Sequence, residues 1–577
     1  MKMKRLIPLI LSLLLLLSMF TGCSKDRSED KTATETSSSS VEEKKEETKK
    51  EDTKKEETKK EEPKKEEPKK EEKKEEEKTP VDPYAEGSFE GYPMAVAEGE
   101  SLSLWHGSGF ALNNAYTSYD ESPFHTGLEE RLGIDIDYRK PAQGADANQA
   151  YNLMIASGDL PDMIYNWGMP AQANDLLNDE YIYELDEYLP VYAPAYWKLL
   201  MSDEDKNLSV KTDDGVYYGF AFFREDLVLG TYEGPMIRKD LLDEAGLDVP
   251  VTLADWEEAL YAFKEMGVKH PLSVWGVGAL NQIFTNAYDL SLGYYLDDDN
   301  KVQFGYAVPQ YKDFLEKMKL WYDEGLLDPD FATNDRAAIK TKVLNDELGA
   351  TRTSGSTLTG YLPELEAVGS VAEWLPVSYP VANEGDVIKH IQRENNNIGL
   401  MAVITTACEN VPLACRVLDY GYTEEGMIYW NFGAEGEIME FIDGKPHFTK
   451  EALNDPEGFG NITSRYTGNS ANGIGPMMVA MYVDKTAPIA WEACQTWFYT
   501  AGPSRNIPAV TATTPENNAI SSYVTAISTY ASENMIKFIM GDIDLSEFDA
   551  YYNEIYGMGL QTVLDIYTQQ VDRYFAR

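Results

Sequence analysis

The sequence predicts an α/β protein of at least two lobes, and three features of the chain point there. Beyond Leu102, short strand-like runs alternate with helical ones, the rhythm of lobes built around mostly parallel sheets. About 490 residues follow the charged N-terminal stretch, too many for one hydrophobic core. After the first apolar run no later one is long enough to span a bilayer, and no repeat of roughly 20 to 50 residues suggests a solenoid.

In chain order, Lys2, Lys4 and Arg5 precede an apolar run from Leu6 to Phe20, and small residues then lead into Cys23. A basic start, a short apolar stretch and small residues at the cut describe a secretory leader over residues 1–23. Residues 24–85 hold almost nothing apolar. Lys-Lys-Glu-Glu blocks repeat, and Pro63 and Pro68 interrupt any helix that Glu–Lys spacing would support. Such a stretch buries too little surface to offset its ordering entropy, so a disordered, self-solvating tether is expected. At about 3 Å per residue it would reach well over 100 Å when extended.

Leu102 to Trp105 reads as a strand, and Leu128 to Leu132 as the end of a helix stopped by Gly133. Ile134 to Tyr138 alternates with period two, Asn148 to Ala156 is helical, and Asp162 to Trp167 is again a strand. Thr252 can cap a helix with Asp255 three residues on, and Leu253, Trp256, Leu260 and Phe263 line one face. Tyr311, Phe314, Leu315, Met318, Trp321 and Tyr322 line another helix, closed by Gly325. Leu348 to Thr351 reads as a strand that leads into a helix near Arg352-Thr353-Ser354-Gly355-Ser356. Asn410 and Pro412 open a third helix, and Ser521 to Arg577 is mainly helical.

The formal net charge of −47 falls on the globular part, because Lys and Glu nearly cancel in the tether. A surface this acidic repels polyanions, which excludes nucleic acid as a partner. Apart from Cys23, the cysteines are Cys408, Cys415 and Cys494, with no metal-binding spacing, and Cys415 reads as a buried free thiol.

Several segments resemble the extracellular solute-binding proteins of family 1, the lipid-anchored receptors of ABC sugar importers. They are Ala156-Ser157-Gly158-Asp159-Leu160-Pro161-Asp162, Gly234-Pro235-Met236-Ile237-Arg238-Lys239-Asp240, and Gly325-Leu326-Leu327-Asp328-Pro329-Asp330-Phe331. Asp419-Tyr420-Gly421-Tyr422, Gly433-Ala434-Glu435-Gly436 and Asp443-Gly444-Lys445-Pro446 are similar to a longer-bodied branch of Gram-positive lipoproteins. The resemblance implies a two-lobed, periplasmic-binding-protein-like (type II) α/β fold with hinge strands and an extra helical C-terminal region. It places residues 98–225 plus 345–395 in an N-terminal lobe and residues 226–344 plus 396–577 in a C-terminal lobe. It further implies acylation of Cys23, anchorage at the extracellular face of the cell membrane, and a monomer. The carbohydrate ligand would close into the cleft and pass to ABC permease subunits.

Ligands of open α/β sheets bind beyond the carboxyl ends of strands. Trp105, His106, Asn166 and Trp167 stand at such exits, and Trp167 corresponds to a cleft aromatic of maltodextrin-binding relatives, so it ranks first. Flat rings pack against the C–H faces of sugars, and planar polar groups meet the hydroxyl rim. Trp275 follows the short run Leu272 to Val274. Arg352, Ser354 and Ser356 offer donors at a strand-to-helix turn, although an ion pair for Arg352 is an equal reading in so acidic a chain. Phe223 and Arg224 lie at one expected hinge crossing and Asn395 at another. Trp256 and Trp321 are expected in the core. An acidic sugar would need local positive compensation from Arg352 or Arg224.

No metal is expected. Gly267-Val268-Lys269-His270-Pro271 lacks the oxygens of the calcium loop found in some relatives, and Asp297-Asp298-Asp299-Asn300 reads as a solvated turn. No cofactor is expected either, since the chain has no phosphate-binding Gly-Lys-Ser/Thr loop. The rival readings are a surface sensor or adhesin using the same cleft, and a secreted glycosidase. The second is disfavoured because carboxylate pairs are uninformative in so acidic a chain and no catalytic motif is present.

Overall fold

Leu102, Leu104, Trp105 and Ile136 are the buried members of the first two strands, β1 (Ser101–His106) and β2 (Asp135–Arg139), which pair in parallel. The helix Pro123–Leu132 joins them and ends at Gly133, whose φ of 77° suits a residue without a Cβ. The computed structural model describes residues 87, 89–107, 116, 118–142, 145–281, 283–468 and 473–577. The expected leader, Cys23 and the tether lie outside the described residues.

β3 (Met163–Trp167) lies parallel to β1 and follows the helix Ala147–Ser157, whose start is capped by the Asp146 side chain. After β4 (Phe220–Ala221) the chain enters a second sheet through β5 (Glu233–Arg238) and β6 (His270–Leu272). A hairpin follows, β7 (Tyr294–Leu296) and β8 (Val302–Phe304). β9 (Leu348–Ser354) and β10 (Trp374–Pro376) complete the second sheet before β11 (Leu400–Ile404) returns to the first. The orders are β2-β1-β3-β11-β4 and β10-β5-β9-β6.

Each sheet has its own core. Leu104, Ile164, Phe220, Val403 and Leu413 belong to the first. Trp256, Phe284, Phe314, Trp321 and Phe538 belong to the second, where the Phe284 ring stands edge-on to both tryptophans. The helix Leu253–Glu265 carries the full capping box of Thr252 and Asp255, and the helix Val411–Asp419 is capped by Asn410. Cys408, Cys415 and Cys494 are buried free thiols. The C-terminal helices Thr514–Met540, Phe548–Gly557 and Leu560–Phe575 pack on the second core.

The strand pairing corrects two expected assignments. Residues 345–395 were expected with the N-terminal lobe, but β9 pairs with β5 and β6 and so belongs to the second sheet. Residues 396–404 were expected with the C-terminal lobe, but β11 pairs with β3 and β4. Both strands are uniformly buried, and a strand without alternating burial carries no mark of the sheet it will join. β9 also runs past Thr351 to Ser354, so Arg352 sits inside a strand rather than after one.

The segments between the sheets are bound to one another. The Gln392 side chain accepts from the amides of Tyr232 (2.8 Å) and Glu233 (3.0 Å) and donates to the Gly230 carbonyl. The Glu394 amide donates to the same carbonyl, and the Tyr379 hydroxyl donates to the Glu233 carbonyl at 2.6 Å. Residues 222–232 and 377–399 thus form one polar crossing between the two cores.

Candidate functional site

Trp167 is the last residue of β3, and at 38% exposure it is the only exposed tryptophan among the described residues. Gly168, with φ 77°, turns the chain into the helix Met169–Asn178, and the Met169 amide donates to the Gly399 carbonyl at the start of β11. Trp167 therefore stands where a crossing segment meets the first sheet. A cavity of about 460 Å³ opens there, lined by Trp167, by Tyr294 of the second lobe, by Arg393, Glu394, Asn395, Asn397 and Ile398 of the crossing, and by Asn506 and Ile507. An aromatic face from each lobe, with amides and charges between them, is a surface that can receive a ring bearing hydroxyls.

Not every predicted residue reaches this cavity. Trp105 is 5% exposed and packs beside Tyr151 of the helix Ala147–Ser157, so it belongs to the core. Asn166 is buried, and its Oδ1 lies where a side chain on Gly107 would have to go. His106 joins an aromatic cluster with Tyr119 and Tyr165. Phe223 is fully buried and stacks near Tyr196. Ser354 caps the helix Gly355–Ala367 by accepting the Thr357 amide at 3.0 Å, while Ser356 is exposed beside it. Asn395 lines the cavity and spends its Nδ2 donor on the Ile507 carbonyl at 2.7 Å. Trp256 and Trp321 are core residues, as expected.

The two predicted arginines are ion-paired. Arg224 binds Glu394 through Nε at 2.6 Å, and Arg352 binds Glu233 at 3.0 Å. A second guanidinium, from Arg336, meets the same Glu233 carboxylate at 2.9 Å and lies 4.3 Å above the Trp275 ring. The Trp275 indole N–H is buried and finds no acceptor among the described residues. The Tyr232 hydroxyl is pushed up to about 12 by burial and then by Glu394.

Of the residues lining the cavity, sequence reasoning missed Arg393, Tyr294, Asn506 and Ile507. Arg393 donates to the Gly502 and Phe498 carbonyls and sits 4.5 Å over the Phe498 ring. Lys485 ends the helix Val479–Lys485, and burial followed by the charge of Arg224 pushes its ammonium down to about 8. The polar run Glu394-Asn395-Asn396-Asn397 after β10 was the only available signal, and it pointed to Asn395 rather than to Arg393. Asp297 closes its own turn by accepting the amides of Asp299 and Lys301, and Asp298 pairs with Lys389 and Arg505.

The sequence profile of the bacterial extracellular solute-binding proteins matches residues 113–428, more than half of the chain. Lipoprotein LipO of Bacillus subtilis is 28% identical over 347 residues, which cover 56% of this chain and 65% of that protein. The fructooligosaccharide ABC transporter substrate-binding protein FusA of Streptococcus pneumoniae is 24% identical over 499 residues, 78% of this chain and 86% of that one. Among solved structures, an HMO-binding, ABC-transporter-associated solute-binding protein from Bifidobacterium longum infantis superposes with a TM-score of 0.70 at 18% identity, covering 83% of this chain and 99% of that one. The alginate-binding protein AlgQ2 without calcium gives 0.65 at 20% identity, covering 82% and 98%. These structural matches establish a two-lobed, periplasmic-binding-protein-like fold to which this chain adds C-terminal helices.

Proposed function

The chain belongs to the bacterial extracellular solute-binding proteins, and on that premise we propose that it captures a carbohydrate between its lobes and delivers it to an ABC permease in the membrane. The observation that carries this reading is the cavity in which Trp167 of the first sheet and Tyr294 of the second lobe share one space with the crossing segment. A sugar seated there touches both lobes at once, so its binding favours whichever lobe arrangement satisfies both contacts. The names of the relatives support carbohydrate as the ligand class and an importer as the destination. Acylation at Cys23 and the Lys/Glu tether would hold a monomeric receptor at the outer face of the membrane. No helix among the described residues is long and apolar enough to cross a membrane.

Titration calorimetry against a panel of oligosaccharides tests the proposal, with Trp167→Ala as the comparison. Removing the stacking face is expected to weaken the best ligand by about tenfold to a hundredfold, in line with an aromatic anchor at a binding centre. Unchanged affinity would take Trp167 out of the site. Hydrolysed sugar recovered from the cell would replace the receptor reading with an enzyme.

A further inference from the structure

The carboxyl ends of the second sheet also meet the crossing. β5 begins at Glu233, directly after residues 222–232, and its antiparallel partner β9 ends beside it at Ser354, with β6 parallel to β9. Trp275 follows β6 at that same end, where ligands of open α/β sheets bind. Its ring is no open stacking face. Arg336, the first residue of the helix Arg336–Leu344, lies 4.3 Å above it and reaches Glu233 Oε1 through Nη2 at 2.9 Å. Arg352 takes the other oxygen of that carboxylate at 3.0 Å and holds it in place. Further bonds fix the helix that carries Arg336. Asp335 caps its start by accepting the Ala338 amide at 2.7 Å. The Asn334 side chain donates to the Ser273 hydroxyl (3.1 Å) and to buried Asp328 (3.0 Å), and Lys342 of the helix meets the same carboxylate. Ser273 lies two residues before Trp275, so helix and ring are tied into one unit.

Within this unit the Arg336 side chain is still 52% exposed, and its Nε and Nη1 find no acceptor among the described residues. A Cβ on Gly276 or Gly278 would meet nothing within 4 Å, so the loop after Trp275 borders open space. A guanidinium already held by a ring and a carboxylate loses little freedom when it donates again, and sugar hydroxyls are suitable acceptors. We propose that Arg336 is a ligand contact of the second lobe, donating to the hydroxyls of a sugar ring other than the one beside Trp167. The inference rests on the carbohydrate reading above and narrows the ligand to an oligosaccharide. Arg336 is not among the residues that line the Trp167 cavity, so a single ring seated there leaves it unused. Trp275 and Glu233 are positioning residues that act through the guanidinium.

Calorimetry with glucose-, fructose-, xylose- and mannose-based sugars, each series running from the monosaccharide to longer oligomers, tests the assignment. In a series that binds, parent affinity should rise with length. Arg336→Gln should remove about tenfold of the affinity for the longest member, the worth of one charge-assisted hydrogen bond, and leave the shortest binder little changed. Trp167→Ala should weaken every length. Arg336→Lys keeps the charge facing Glu233 but loses the planar fork, so it should fall between parent and Arg336→Gln. It carries the same comparison if Arg336→Gln does not fold. Equal losses along the whole series would make Arg336 a structural support and overturn the inference. So would unchanged affinity at every length, with the carbohydrate receptor left standing. A monosaccharide bound as tightly as its longest oligomer would overturn the narrowing to oligosaccharides. Binding of no sugar in any series would overturn both readings.

Discussion

Trp105 and Trp167 lie on adjacent strands, and their depth in the sheet separates their fates. Trp167 is the final residue of β3, paired with Leu400 of β11, while Trp105 sits level with Ile164, three residues before Trp167, and is covered by Tyr151. Composition and a nearby glycine marked both as strand exits, but the last hydrogen-bonded residue of a strand is not legible to within one position. Gly107 follows from this packing: a Cβ there would lie 2.3 Å from both the Trp105 ring and Asn166 Oδ1. Gly107→Ala is expected to cost about 1–3 kcal/mol through overpacking, read as a lowered midpoint in thermal unfolding, and an unchanged midpoint would mean that the Trp105 ring shifts freely. Asp419 allows a pH test. Burial pushes its carboxyl up to about 7, against the pull of the Tyr196 and Ala195 amides and of Arg416. Since the folded value lies above the unfolded one near about 4, its contribution is whole in acid and is lost as pH rises through about 7. Asp419→Asn should therefore narrow the difference in melting temperature between about pH 5 and about pH 8. An equal difference in parent and variant would show that Asp419 does not titrate in that window.

Helices with local signals were readable because their causes are local. Thr252 with Asp255, Asn410 with Pro412, and Gly133 at a left-handed position all act within four residues of the element they start or stop. The crossing was not readable, since its bonds join residues 159 and 160 positions apart through the Gln392 side chain, and no spacing rule reaches that far. Arg393 escaped for the same reason, because its partners Phe498 and Gly502 lie more than a hundred residues away. Gln392→Ala would leave the Tyr232 and Glu233 amides without their acceptor, at a cost of about 1–3 kcal/mol for buried donors. Urea denaturation should show the loss, and hydrogen exchange should accelerate over residues 230–233. Unaltered exchange there would mean that the two segments hold together without the glutamine.

At the scale of the molecule, the sequence indicated two α/β lobes and a helical C-terminal region but exchanged β9 and β11 between the sheets. Sheet membership is set by long-range pairing, which the unbroken burial of both strands leaves open. It also gave no sign that the C-terminal helices return to the first lobe. The helix Leu560–Phe575 begins on the second core, where Tyr567 packs 4.9 Å from Tyr294. Its end reaches residues 208–213, which belong with the first core. Arg573 binds Asp213 through Nε and Glu516 at 2.8 Å, and Arg577 binds Asp213 and the carbonyls of Leu208 and Lys211. Asp213 is buried, so removing both arginines would leave an uncompensated charge as well as untie the lobes. Arg573→Ala combined with Arg577→Ala should lower the thermal midpoint by several degrees. It should also widen the unliganded protein in small-angle scattering, because the helix would no longer tie residues 208–213 to the second core. Ligand should recover most of the compactness, since the cavity between Trp167 and Tyr294 draws the lobes together independently of this clamp. A scattering profile identical to that of the parent would show that the angle between the lobes is held without this clamp, by the polar crossing together with the bonds from Asn174 to the Ala512 carbonyl and from Asn517 to the Ala171 carbonyl.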